Sequence, residues 1–183
     1  MSARFRQRNE PPHQRARYWR MPRRGASWPA MIALALWLGI GLVAAIAIGG
    51  YTAFDDVSAR NFQMSDSQWL RVKSQDSFAP MGPWLVTADE LGDGSGLEIE
   101  CRVNGEVRQK SNTRHLIFNV PFLISYLSSV MTLHPGDVIS TGTPAGVGFA
   151  RSPQVFLEPG DVVEVEIEKI GRLENPVVEA PRS

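Results

Sequence analysis

Asp56, Arg60, Gln63, Lys73 and Thr143 are the side chains whose types and spacing point to chemistry in this chain. They fall in three blocks between Gly50 and Gly148: YTAFDDVSARNFQ, KSQDSFAPMGPW and VISTGTPAGVG. Each block sets a few polar groups among glycine, proline and aromatic residues, which suits a small anionic ligand better than a packed core. An aspartate close to an arginine and an amide can hold a hard cation through oxygen, while the arginine grips a carboxylate in bidentate fashion. Taken alone, the Asp55-Asp56 to Gln63 segment reads more simply as helix-capping acids and a surface arginine. A lone lysine is usually solvated, but rigid and aromatic neighbours would partly desolvate Lys73 and aim it at an oxyanion. The glycine-rich loop after Ile139 can offer backbone N–H groups and the Thr143 hydroxyl to a carboxylate. It lacks the lysine of a phosphate-binding P-loop, which argues against nucleotide binding.

A β-rich framework has to position these groups. Leu97, Ile99, Cys101 and Val103 alternate with Glu98, Glu100 and Arg102, the period of a half-buried strand. Asn104-Gly105 follows as a hairpin turn, and Glu106 to Gln109 forms the return strand. Asn119 is placed to cap a helix with Pro121 in its first turn. Apolar positions 120, 123, 124, 127, 130 and 131 predict one buried stripe on that helix. Pro135-Gly136 and Pro159-Gly160 read as turns, each followed by Asp and a valine-rich strand, and Pro176 to Ser183 as a loose tail.

Charge divides the 183 residues unevenly, although the total is neutral. Residues 1–29 hold eight arginines against the single acid Glu10, leaving 11 basic and 18 acidic residues in the rest. A mildly acidic domain gives no reason to expect a nucleic acid partner. Cys101 is the only cysteine, which excludes an intrachain disulfide and a thiolate-rich zinc site. Ala30 to Gly49 is an uncharged, almost wholly apolar run of 20 residues, long enough as a helix to cross a hydrocarbon core of about 30 Å. Three readings stay open for it: a membrane segment preceded by arginines, a buried helix–strand pair, or an aberrant N-terminus arising from a displaced reading frame. The expected organisation is a basic, disordered stretch over 1–29, the apolar segment over 30–49, a globular domain over 50–179 and a tail over 180–183. Nothing in that domain asks for export, so the expected location is cytoplasmic, with anchorage through 30–49 as the alternative.

Other patterns carry less. Glu98/Glu100 and Glu164/Glu166/Glu168 have the spacing of metal carboxylates on one strand face. Each run alternates with apolar core positions, so a solvated strand face is the simpler reading. Glu10 and His13 lie in an arginine- and proline-rich stretch, and His115 and His134 lie beside turns as surface residues.

The three blocks, in this order, resemble the C-terminal catalytic domain of the fumarylacetoacetate hydrolase family. GYTAFDDVSARNFQ is similar to that family's GYT-x-x-NDVSARD-x-Q motif, and KSQDSFAPMGPWLVTADEL to its KSFDTFAPLGPWLVTADE stretch. The hairpin, helix and glycine loop from Val103 to Gly148 match almost position for position. The resemblance covers about Gly49 to Val178. It implies a mainly β, α+β fold, a mixed β-roll, here preceded by an unusual apolar N-terminal segment. It also implies a homodimer and a divalent cation, Mg²⁺ first and Mn²⁺ or Ca²⁺ as alternatives. The implied activity is hydrolysis, isomerisation or lysis of small 2-oxo and 1,3-dioxo carboxylic acids, as in aromatic-compound catabolism, through a metal-stabilised enolate.

Residue by residue, the resemblance makes Asp56 a metal carboxylate and gives Arg60, Gln63 and Thr143 to the substrate. Lys73 becomes the catalytic cation that balances developing charge. Asp55 stands where the family usually has Asn, Asn61 where it has Asp, and Gln75 where it has Phe. The larger departure lies upstream: the family's E-x-E strand, about 30 residues before GYT, falls on Ser27 to Leu38, which holds no acid. The resemblance also implies a His/Glu pair from an N-terminal lid that prepares the attacking water in C–C hydrolysis, and that pair has no convincing equivalent here. The expectation is therefore a family member with impaired catalysis; a non-catalytic remnant and a membrane-tethered binding protein are the alternatives.

Overall fold

The computed structural model of the chain describes residues 47–65 and 68–179. The sequence expectations for 1–29, most of 30–49 and 180–183 lie outside the described residues. Two antiparallel sheets form the framework. One pairs β1 (Gly50–Phe54) with β2 (Met81–Thr87); the other has the order β4-β3-β5-β6, with β3 Glu98–Val103, β4 Glu106–Asn112, β5 Val162–Ile167 and β6 Gly171–Pro176. Among the described residues, four short helices complete it: α1 Arg60–Gln63, α2 Trp69–Lys73, α3 Ala88–Leu91 and α4 Val120–Ser128.

The four-stranded sheet follows from alternation. Ile99, Cys101 and Val103 on β3 pair with Ile167, Val165 and Val163 on β5, so one face is apolar along both strands. The buried cluster joins Leu97, Val165, Ile167, Ile170 and Leu173 to Ala53 of β1, with Tyr51, Val86 and Leu91 packed round it. The small sheet thus lies against the apolar face of the large one, β1 touching β5 and β6 while β2 touches β6.

The opposite face carries charge. Glu100 lies directly across from Glu166, which would be repulsive by itself. Arg102 bridges them, 2.5 Å from Glu100 and 2.7 Å from Glu166, and Lys110 adds a second cation to Glu100 at 3.0 Å. Arg172 holds the buried Glu164 at 2.7 Å. The glutamate runs are paired within the sheet, consistent with the strand-face reading, and Glu164 is less solvated than that reading expects.

The hairpin forms where expected. Asn104 (φ 53°) and Gly105 (φ 77°) both adopt the left-handed backbone that a tight two-residue turn needs. The Asn104 amide also donates to Asp161 at 2.8 Å and accepts from the Val162 N–H at 2.9 Å, tying the turn to the start of β5. Asn119 caps α4 by accepting from the Phe122 N–H at 2.9 Å.

Three expectations need correction. No residue of α4 is buried, and the apolar stripe stays half-exposed beside a stack of Phe118, Phe122 and Tyr126. The segment after Pro135-Gly136 forms no strand, because no described neighbour pairs with it; only the one after Pro159-Gly160 does. Pro176 belongs to β6, and Val177 is fixed by backbone bonds with Gly160 and Asp161, so the chain is ordered beyond the expected start of the tail.

Candidate active site

Two backbone hydrogen bonds clamp the first block in place: Asp55 N–H to the Pro80 carbonyl of the second block at 3.1 Å, and Ala59 N–H to the carbonyl of Val72, just before that block, at 3.0 Å. Val72 is only 1% exposed and anchors α2, so its neighbour Lys73 is turned back toward the loop that precedes α1. The Lys73 ammonium lies 2.6 Å from Asp56 Oδ2 and 3.5 Å from the Asp56 carbonyl, with the Trp69 ring 6.0 Å away on another side. Both side chains retain access to solvent, 26% for Lys73 and 41% for Asp56.

Arg60 opens α1. One guanidinium nitrogen donates to Gln63 Oε1 one helical turn on, and the guanidinium lies over the Phe149 ring at 5.2 Å. Phe149 sits in the short helical turn Gly148–Ala150 that closes the third block, so Arg60 joins the first block to the third. Thr143 is positioned separately: Gln109 of β4 donates to its hydroxyl at 2.9 Å and to the Pro144 carbonyl at 2.6 Å.

Of the five expected residues, the structure pairs Asp56 with Lys73 and Arg60 with Gln63. It hangs Thr143 on the edge of β4, with its hydrogen bond going to Gln109 and to none of the other four. Gln109 and Phe149 escaped sequence reasoning. Phe149 follows the glycine loop immediately, the one signal that could have marked it; Gln109 has none, since its partner lies 34 residues away.

The glycine loop is pressed against β4. Arg151 donates to the Arg108 carbonyl at 2.6 Å and to the Gly146 carbonyl at 3.0 Å. A Cβ on Gly146 would meet the Arg108 carbonyl oxygen at 2.2 Å, and one on Gly148 would meet that of Val155 at 1.9 Å. Glycine is needed at these two positions for close approach of backbone to backbone.

Burial raises the Asp55 carboxyl above the usual range. The Asp56 charge adds to that and Lys73 opposes it. Burial also pushes the Cys101 thiol to about 11, with the Asp55 charge contributing. Both described histidines are exposed, His115 facing Ser111 at 3.4 Å and the His134 amide donating to Asp137. A cleft of about 520 Å³ elsewhere is lined by Tyr51, Thr87, Asp89 and Asp93 among others, and by none of the five expected residues.

A hard divalent ion takes six or more oxygens, largely from charged groups. Among the described residues no three His, Cys, Asp or Glu side chains gather into such a set, and residues 11–54 contain no acid. Asp56 already has an ammonium on Oδ2. These donors do not fit a tightly held divalent cation.

The sheet pair and the joined blocks define a mixed α+β domain, and comparison with known proteins identifies its family. Residues 42–178 match the model of the fumarylacetoacetate hydrolase C-terminal domain, and the chain belongs to that family. The mitochondrial oxaloacetate tautomerase of Xenopus laevis is 52% identical over 131 residues, 70% of this chain and 41% of that protein. The crystal structure of a 5-carboxymethyl-2-hydroxymuconate delta-isomerase from Mycobacterium smegmatis has a TM-score of 0.69 at 47% identity, covering 78% of this chain and 53% of that one. A fumarylacetoacetate hydrolase from psychrophilic Exiguobacterium antarcticum gives a TM-score of 0.74 at 44% identity, covering 76% and 50%. The chain thus spans about half the length of the relatives it matches. No helix among the described residues is long and apolar enough to cross a membrane.

Proposed function

We propose that this chain carries the substrate-holding half of an isomerase or tautomerase for small 2-oxo or 1,3-dioxo carboxylic acids, and that it turns over slowly as it stands. The observation that carries the reading is the Lys73–Asp56 pair at 2.6 Å, held one helix away from Arg60. Two cations on rigid short elements suit an acid whose carboxylate and adjacent oxo group both bear negative charge in the enolate. Arg60, with Gln63 steadying it, binds one end of the acid; Thr143 binds a carboxylate oxygen; Lys73 faces the oxygen on which enolate charge develops.

Moving a proton next to a carbonyl asks less of a site than breaking a C–C bond with water. Hydrolysis needs a base to activate that water. Neither described histidine is placed against Asp56, Lys73 or Arg60, which favours isomerisation among the reactions of the family. The divalent cation that the family resemblance implies would add Lewis-acid stabilisation, but the donor set gives it weak purchase here, and slow turnover follows. A homodimer and a cytoplasmic location complete the reading.

The test follows the enol absorbance of oxaloacetate with and without protein. A slow acceleration over buffer, reduced at least tenfold by Arg60→Ala, is the expected result. Equal rates with wild type and Arg60→Ala would overturn the assignment of the substrate. Micromolar binding of Mg²⁺ or Mn²⁺ in calorimetry would overturn the account of its slowness.

A further inference from the structure

The mismatch between the donor set and a divalent ion has a constructive side. We infer that the Lys73 ammonium takes the place of the cation, so that this site binds a small 2-oxo acid or dicarboxylate anion with no divalent metal. The inference rests on the reading of the site as an oxo-acid site and deepens it.

The geometry assigns Lys73 this part for three reasons. Its ammonium has three N–H donors, one spent on Asp56 Oδ2 at 2.6 Å and a second directed at the Asp56 carbonyl at the long distance of 3.5 Å. The third remains for a ligand, and the side chain keeps solvent access through which one can arrive. Secondly, the ammonium is held in place beforehand: Asp56 fixes it from one side, the Trp69 ring stands 6.0 Å off, and α2 behind it is anchored by the buried Val72. A charge already immobilised loses little freedom when an anion arrives.

Thirdly, Asp56 is occupied. A divalent ion on the same carboxylate would sit against a fixed ammonium of like sign, and although Asp55 lies beside Asp56, no third Asp, Glu, His or Cys among the described residues completes a set to offset the repulsion. An anion meets an ammonium of opposite sign, burial holds the Asp55 carboxyl toward its neutral form, and Arg60 on the neighbouring helix is a further positive group whose orientation is set by Gln63 and Phe149. A planar dianion spanning a carboxylate and an adjacent oxygen matches two cations better than one.

Oxalate is the probe, because its two coplanar carboxylates resemble the enolate of a 2-oxo acid. The full chain is titrated calorimetrically with oxalate in chelator, and again with saturating Mg²⁺. The expected dissociation constants agree within about twofold. Lys73→Met weakens oxalate roughly 10- to 100-fold, the scale of one lost charge-assisted hydrogen bond. Lys73→Arg keeps most of the affinity, which separates charge from folding. Asp56→Asn changes the affinity by the same factor in chelator and in Mg²⁺, whereas a metal-bridged site would lose only its Mg²⁺-dependent affinity. Oxalate binding that requires Mg²⁺ would overturn the inference and leave the oxo-acid reading standing. Failure to bind in either medium would overturn both, and undiminished binding by Lys73→Met would overturn the role of Lys73.

Discussion

Gly146→Ala tests how the third block is held. Gly146 has φ of +109°, a backbone that L-residues avoid, and its added Cβ would lie 2.2 Å from the Arg108 carbonyl oxygen. The backbone conformation alone costs about 1–2 kcal/mol. Relief of the clash must move the loop off β4, loosening the Arg151 bond to the Arg108 carbonyl and the Gln109 bonds to Thr143 and Pro144. At about 1 kcal/mol for each of the three bonds weakened, the total reaches roughly 4–5 kcal/mol. That is a large share of the ~5–15 kcal/mol by which domains are stable. Gly142→Ala is the control, since φ is +119° but nothing lies within 4 Å, and it should cost only the backbone share. Gly148→Ala isolates the opposite term, a clash with the Val155 carbonyl at 1.9 Å without positive φ. Urea denaturation followed by tryptophan fluorescence and circular dichroism measures all three. With a slope of about 2 kcal/mol per molar, the Gly146→Ala midpoint should fall by roughly 2 M and the Gly142→Ala midpoint by less than about 1 M. Equal midpoints for Gly146→Ala and Gly142→Ala would refute the claim that close approach to β4 dictates this glycine.

Cys101, its thiol pushed up to about 11, should be roughly 0.1% thiolate at pH 8 and react with a disulfide reagent about 100-fold more slowly in the folded than in the urea-unfolded chain; equal rates would contradict its burial. Because that folded pKa is raised, the stability it contributes is complete below pH 9, its ordinary value, and is lost as pH rises toward 11; Cys101→Ser should show a shallower fall of Tm over that window. Asp55→Asn should raise Tm by a few degrees at pH 7, because the carboxyl is raised by burial and by Asp56 and so resists ionising. The gain should vanish below pH 4, where the carboxyl is protonated in folded and unfolded chains alike; a Tm decrease at pH 7 would count against it. Asn104→Ala loses a left-handed turn residue and two side-chain hydrogen bonds, so a loss of about 2 kcal/mol in urea denaturation is expected, and a loss below about 0.5 kcal/mol would rule out its part in joining the hairpin to β5.

What could be read from the residues beforehand was mostly local. The β3 alternation, the Asn104-Gly105 turn and the Asn119 cap each depend on neighbours within a few positions, and each forms as expected. The β5 alternation also held, though it left open which strands flank it. Pairings across long separations were not legible: Gly50 meets Thr87 only once both strands pack on the same core, and β6 reads as a polar segment ending in proline. The short valine run after Gly136 shows the reverse error, since propensity cannot make a strand without an edge to pair with.

The site divides in the same way. Asp56, Arg60, Gln63, Lys73 and Thr143 were picked out by motif resemblance, whereas the bonds that fix them come from elsewhere. Gln109 holds Thr143 from a different strand, and Phe149 lies against Arg60 from 89 positions on. Neither relation leaves a mark on local sequence.

The burial of Val72 behind Lys73 makes the reach of that amine adjustable from the rear. A methyl group added or removed there would slide α2 by a fraction of an ångström and carry the amine with it, with no polar side chain of the site replaced. Position 72 thus bears on where the Lys73 amine stands without its own side chain reaching solvent.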